Sequence, residues 1–224
     1  MCGRYVLHTP VDAMAEAFGV SPPHPNFPAR YNLSPTQDGL ILKRDADGVR
    51  RFSIARWGLV PGWAKDFSIG AKMINARAET LAEKPSFRAA FRQRRCVVPA
   101  DGFYEWISEG KARKPFWIRR ADDRPMALAG LWERARTPDG TDVETYTIVT
   151  CEARGPLTRL HHRCPVILEV DGLEAWLAPG EGGALAPLLE PREHSLLIDP
   201  ADPRVNSPRN DDSRLIGPPD ALLL

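Results

Sequence analysis

Apolar residues along this chain fall in short alternating or clustered runs, cut at close intervals by Gly, Pro, Asp and Asn. That pattern predicts many short strands and few helices. GRYVLHT reads as a strand leading from the terminus, which would anchor Cys2 rather than leave it loose. Thr9-Pro10 then opens a helix of about ten residues, with Val11, Met14, Ala15 and Phe18 on one apolar face and Gly19 closing it. SPPHPNFPAR is a Pro-rich surface loop, and GLILKRD and RRFSIARWGLVP form a strand pair joined through DADG. Residues 78–95 predict one or two short helices, broken at Pro85, with Ser86 as an N-cap.

The densest strand region follows: CVVPADGFYEWI, KPFWIRR, PMALAGLWER and ETYTIVTCEA, parted by the turns SEGKA, ADDR and TPDGTD. Aromatic and β-branched residues recur there, as a curved sheet or partial barrel with one buried face requires. After Gly155-Pro156 come a helix-like LTRLHH, the apolar run PVILEV and two short helices in DGLEAWLAP and EGGALAPLLE. VNSPRNDDSRLIGPP is turn-rich and extended. With no repeat and no linker-like shift in composition, the expected architecture is one α+β domain over residues 1–224. Its sheet is mostly antiparallel and flanked by short helices, and residues 218–224 are expected to form a disordered tail.

Composition sharpens this picture. The 22 prolines are spread throughout, which favours short strands and turns over long helices. No apolar stretch approaches the roughly 20 residues that cross a membrane, and the first helical segment carries Asp12 and Glu16 rather than an apolar leader. No membrane partner is expected. Cys2, Cys96, Cys151 and Cys164 lie far apart without framework spacing, so the expected compartment is reducing and cytoplasmic. Net charge is only +1, yet residues 1–96 hold 15 Lys/Arg against 8 Asp/Glu, and residues 171–224 hold 4 against 10. The basic excess peaks at Arg77, Lys84, Arg88, Arg92, Arg94 and Arg95. A basic face beside an acidic one suits a polyanion, although a solvated helix face accounts for the same run.

Candidate chemistry begins at Cys2, directly behind Met1. Removal of Met1 would leave a thiol and a primary amine on adjacent carbons, a pair that no internal cysteine offers. Such an aminothiol condenses with an aldehyde to a thiazolidine, or acts as a thiol nucleophile with its amine as base. Glu105 lies in the aromatic strand GFYEW, where alternation puts it on the face of Phe103, opposite Tyr104 and Trp106. It is either a water-facing carboxylate or a partly buried acid with a raised pKa, suited to general acid/base work. In His161-His162-Arg163 the adjacent rings are expected to diverge, so that at most one points into a site. Asn75 could polarise a carbonyl or hold a hydroxyl, with Arg77 on a phosphate, or it could cap a helix beginning near Ala76. Trp57, Trp63 and Trp106 could stack on unpaired bases, or Trp57 and Trp106 could fill the core. There is no GxGxxG, no P-loop, no GxSxG and no CxxC or HxxxH spacing, so neither cofactor nor metal is expected.

Taken in order, MCGRY, YNLSPTQ, RWGLVPGWA, MINARAET, SFRAAFRQRRCVVPADGFYEW, HHRCPVIL and VNSPR resemble the SRAP (SOS response-associated peptidase) family, from residue 2 to about residue 216. The resemblance implies a protein that shields abasic sites in single-stranded DNA. Cys2 would crosslink the ring-opened sugar as a thiazolidine once Met1 is gone. Asn75 would hold the sugar, and Glu105 and His161 would move protons. Arg77 and Arg163 would meet DNA, with Arg4, Arg88, Trp63 and Trp106 as further contacts. A peptidase- or lyase-like activity, self-removal of Met1 and a monomeric state are implied alongside. Cys164 stands where the family usually has methionine. Two other readings remain open: a cysteine hydrolase with His161 as base and Asn75 as orienting group, and a single-strand-binding module without a covalent step.

Overall fold

The computed structural model describes residues 2–110, 112–180 and 185–216; the expected tail lies outside them. In chain order the elements begin β1 (Tyr5–Leu7), α1 (Val11–Phe18), β2 (Arg30–Leu33), β3 (Asp38–Arg44), β4 (Arg50–Trp57), β5 (Asn75–Arg77) and α2 (Arg88–Gln93). The dense strand region gives β6 (Arg95–Ala100), β7 (Gly102–Glu109), β8 (Ala112–Arg120), β9 (Met126–Arg136) and β10 (Asp142–Glu152). Then come β11 (Arg163–Pro165), β12 (Ile167–Leu168), α3 (Val170–Leu177), α4 (Ala186–Leu189) and β13 (Leu196–Pro200). Short 3-10 turns occupy Gly155–Arg159, Pro203–Asn206 and Ser213–Ile216.

One sheet runs β13-β8-β7-β1-β2, the other β11-β10-β4-β3-β6-β9-β12 with β5 added on β10. β9 also pairs along β10, from Asp142↔Arg136 to Ile148↔Gly130. That pairing closes β10, β4, β3, β6 and β9 into a ring, so the expected partial barrel is a closed one. Most pairings are antiparallel; β10 runs parallel to β4 and to β5.

The helix α1 starts with Met14 N–H on the Pro10 carbonyl and buries Met14, Ala15 and Phe18. Gly19 ends it at φ 61°, a left-handed conformation that glycine adopts without a Cβ clash. Ser86 does not cap α2. The turn is entered through the backbone, because the Lys84 carbonyl accepts from both Phe87 and Arg88, and Phe87 becomes the residue before the helix.

Alternation along β7 decides the layout that matters for function. Phe103 faces the main core with Cys2, Tyr5, Leu33 and Trp57, while Tyr104 faces a smaller cluster of Val6, Ala201, Val205 and Leu215, with Trp106 packed against it. The barrel interior includes a buried tyrosine pair, Tyr5 and Tyr146, whose hydroxyls lie 2.6 Å apart.

Candidate functional site

Cys2 is fully buried where β1 enters the five-stranded sheet. Its carbonyl accepts a hydrogen bond from Asn75 Nδ2 at 2.9 Å. Asn75 is therefore not a helix cap. It opens β5, which lies parallel to β10 with Asn75 beside Ile148, and this pairing aims its amide back at the N-terminal residue. Asn75 Oδ1 is buried and has no hydrogen-bond partner among the described residues. Burial, followed by the nearby Glu105 charge, pushes the Cys2 thiol far above its ordinary range.

Glu105 is 5% exposed on β7, opposite Phe116 of β8. Its carboxyl is raised, chiefly because burial penalises the charged form. Of the two readings open from sequence, the buried acid is the one the fold adopts. His161 is half-buried and follows the Gly155–Arg159 turn. Its Nδ1 receives the Arg163 backbone N–H at 2.9 Å. Nδ1 also lies 3.2 Å from the Arg163 carbonyl, but the shorter contact is to an N–H, which can only donate, so Nδ1 is assigned as acceptor and the neutral ring's proton to Nε2. Burial, with smaller repulsion from His162, lowers the His161 pKa. The rings of His161 and His162 do not diverge: they stack with centroids 4.2 Å apart, because the chain here is a bend and not an extended strand.

Glu105 and His161 line the same cavity, about 720 Å³, together with Gly3, Arg4, Trp106, Ser108, Arg113 and Asn206. Arg4 is fixed by Asn32 Oδ1 and the Val205 carbonyl, both at 2.8 Å. Trp106 Nε1 donates to Asn206 Oδ1 at 2.7 Å, and the guanidinium groups of Arg4 and Arg113 lie 6.0 and 5.7 Å from its ring centroid. The wall combines cations, an aromatic face and one buried acid, a combination that suits a phosphate-bearing ligand with an unpaired ring or sugar.

The remaining expected residues sit differently. Arg77 is exposed at the end of β5, two residues from Asn75. Arg163 is turned inward: its guanidinium grips both Glu79 carboxylate oxygens at 3.0 Å and donates to the Thr150 carbonyl at 2.5 Å. Arg88 lies exposed on α2 and Trp63 is 60% exposed in the loop after β4; neither lines the cavity. Trp57 fills the core, its Nε1 bonded to the Ile74 carbonyl. Sequence reasoning did not single out Arg113, Ser108 or Asn206. Arg113 and Ser108 are cross-strand partners on β8 and β7, so pairing the expected hairpin residue by residue was the available signal. Among the described residues no group of three or more His, Cys, Asp or Glu is placed to hold a metal ion.

The model of the SOS response associated peptidase (SRAP) family matches residues 1–208. The chain belongs to the SRAP family. Among SRAP relatives, the abasic site processing protein YoqW of Bacillus subtilis is 39% identical over 222 residues, covering 96% of this chain and 99% of its own. The abasic site processing protein HMCES of Rattus norvegicus is 31% identical over 277 residues, with 100% of this chain and 77% of its own covered. An X-ray crystal structure of a protein from Bacteroides thetaiotaomicron superimposes with a TM-score of 0.85 at 26% identity, over 97% of this chain and 99% of that one. The α+β architecture described above is thus shared with a solved structure across nearly the whole SRAP chain.

Proposed function

We propose that this protein processes abasic sites in single-stranded DNA by covalent capture, with Cys2 as the reacting residue after Met1 is removed. The observation that carries this reading is the hydrogen bond from Asn75 to the Cys2 carbonyl, which fixes the backbone of a residue that would otherwise fray. A side chain recruited from a distant strand to hold residue 2 makes sense if the nitrogen of residue 2 is to be aimed. The YoqW and HMCES relatives are named abasic site processing proteins, which supports an abasic site as the target.

The chemistry starts at nitrogen. Burial holds the thiol of Cys2 neutral, which disfavours a thiolate-first hydrolase. The freed amine attacks the aldehyde of the opened sugar to give a carbinolamine. Glu105, its carboxyl raised by burial, donates to the departing hydroxyl, and water leaves to give an iminium. The Cys2 sulfur then adds to the iminium carbon and its proton returns to a carboxylate or imidazole, closing the thiazolidine with net loss of one water. His161, neutral with its proton on Nε2, is suited to open the closed sugar or to receive a proton. The unpartnered Asn75 Oδ1 is available to accept from a sugar hydroxyl. Arg4 and Arg113 on the cavity wall would meet phosphate, exposed Arg77 would meet the strand outside the cavity, and Trp106 would occupy the space of the missing base.

The test is denaturing mass spectrometry after incubation with an abasic single-stranded oligonucleotide. A species of protein plus oligonucleotide minus water is expected, and Cys2→Ala is expected to abolish it. Salt-sensitive binding with no adduct would leave a non-covalent binding module. Turnover of a peptide or amide with no adduct would favour the hydrolase.

A further inference from the structure

Of the three cysteines that take no part in that chemistry, two face each other. Cys151 and Cys164 are direct partners across the β10–β11 ladder, each 4% exposed, with Sγ atoms 3.9 Å apart. Opposed residues of an antiparallel pair have Cα atoms roughly 4.5–5.5 Å apart, inside the span of about 4.4–6.8 Å that a disulfide requires. Bringing the sulfurs to bonding distance is a matter of side-chain rotation, with both strands left in place. β11 is three residues long and lies at the edge of its sheet, where local opening admits a small reagent. The two thiols lie within hydrogen-bond reach of each other. Contact with Cys164 holds Cys151 below the ordinary thiol range, helped by the charge of Arg163, and the same contact holds Cys164 above it. Cys164 Sγ also donates to the Glu152 carbonyl at 3.8 Å, so its proton has a second acceptor and the attack is assigned to Cys151.

We propose that Cys151 and Cys164 form a reversible redox-modification site, a dithiol that a small peroxide converts to an intrachain disulfide. The Cys151 thiolate attacks a peroxide oxygen and breaks the O–O bond, giving a sulfenic acid and a hydroxide that leaves as water after taking a proton. The Cys164 sulfur then displaces the sulfenic hydroxyl, which departs with the Cys164 proton as a second water. Two thiols supply two electrons and two protons, and one peroxide becomes two waters. The new bond joins residues thirteen apart in sequence and closes the loop that carries His161.

The full-length protein is treated with hydrogen peroxide, its free thiols are alkylated, and it is digested without reduction. The expected result is an intact mass lower by two hydrogens and a linked peptide pair joining Cys151 to Cys164. Dithiothreitol is expected to restore both thiols, and Cys151→Ser or Cys164→Ser to remove the linkage. The wild-type peptide map decides the matter alone if either variant folds poorly. A bridge to Cys2 or Cys96, or a sulfinic acid on Cys151 with Cys164 still alkylated, would overturn the proposal, as would two unmodified thiols after peroxide has oxidised Cys2. Every readout is on sulfur and none uses DNA, so failure here and failure of the abasic-site reading are separate results.

Discussion

Asn75 Nδ2 reaches the carbonyl oxygen of Cys2 at 2.9 Å across 73 positions of sequence. A short strand, β5, exists where a helix start was one reading, and its pairing with β10 is what delivers the amide. Asn75→Ala removes both the anchor and the free Oδ1. A loss of about 1 kcal/mol in stability is expected, as for one hydrogen bond. A much larger fall in adduct formation, on the order of 10²-fold, is expected because the reacting nitrogen is no longer aimed. Thermal unfolding and single-turnover crosslinking measure the two effects side by side.

Glu105 gives a pH test. Burial raises its carboxyl, so the folded protein binds that proton more tightly than the unfolded chain. Stability is therefore lost as pH rises from the unfolded value, about 4.3, through the higher folded one, and the loss is complete above it. Glu105→Gln is expected to match wild type near pH 4 and to be more stable than wild type near pH 8. The same substitution is expected to slow adduct formation by about 10²-fold or more and to remove the decline in rate at high pH.

Arg163 and Arg77 are expected to separate cleanly. Arg163, with a side chain 10% exposed, is spent on Glu79 and Thr150 inside the protein. Arg163→Ala is expected to cost about 2 kcal/mol of stability, less than for a fully buried pair because Glu79 is 51% exposed. It is expected to leave the salt dependence of DNA binding unchanged. Arg77→Ala is expected to do the reverse, lowering the slope of log K against log salt by about 0.7 with little change in thermal stability.

Gly39, on β3, tests how the barrel packs against Tyr5 and hence the seating of β1. A Cβ at position 39 would collide with the hydroxyls of both Tyr5 and Tyr146. Gly39→Ala is expected to destabilise by about 1–3 kcal/mol in denaturant melts, as overpacking does.

What could be read from sequence was local. Period-two alternation gave the strands and put Glu105 on the face of Phe103, and Gly19 marked the end of α1. Contacts between distant segments were out of reach. Nothing in ETYTIVTCEA signals that β10 closes the ring with β9 and also runs parallel to β5, because both pairings depend on a register set by the whole sheet. The inward turn of Arg163 depends on Glu79, 84 residues away, and an arginine in a basic chain reads the same whether it meets a carboxylate or a phosphate. The stacking of His161 on His162 follows from a bend that their identities do not encode.

The central claim concerns the nitrogen of Cys2 more than its sulfur, and one comparison isolates it. Protein with Met1 removed and protein whose Met1 is retained are each incubated with the same abasic oligonucleotide and weighed under denaturing conditions. The thiol is present in both, and the amine of residue 2 in only one. A stable adduct of protein plus oligonucleotide minus water is expected from the processed protein alone. Equal crosslinking by the protein that keeps Met1 would contradict the aminothiol mechanism.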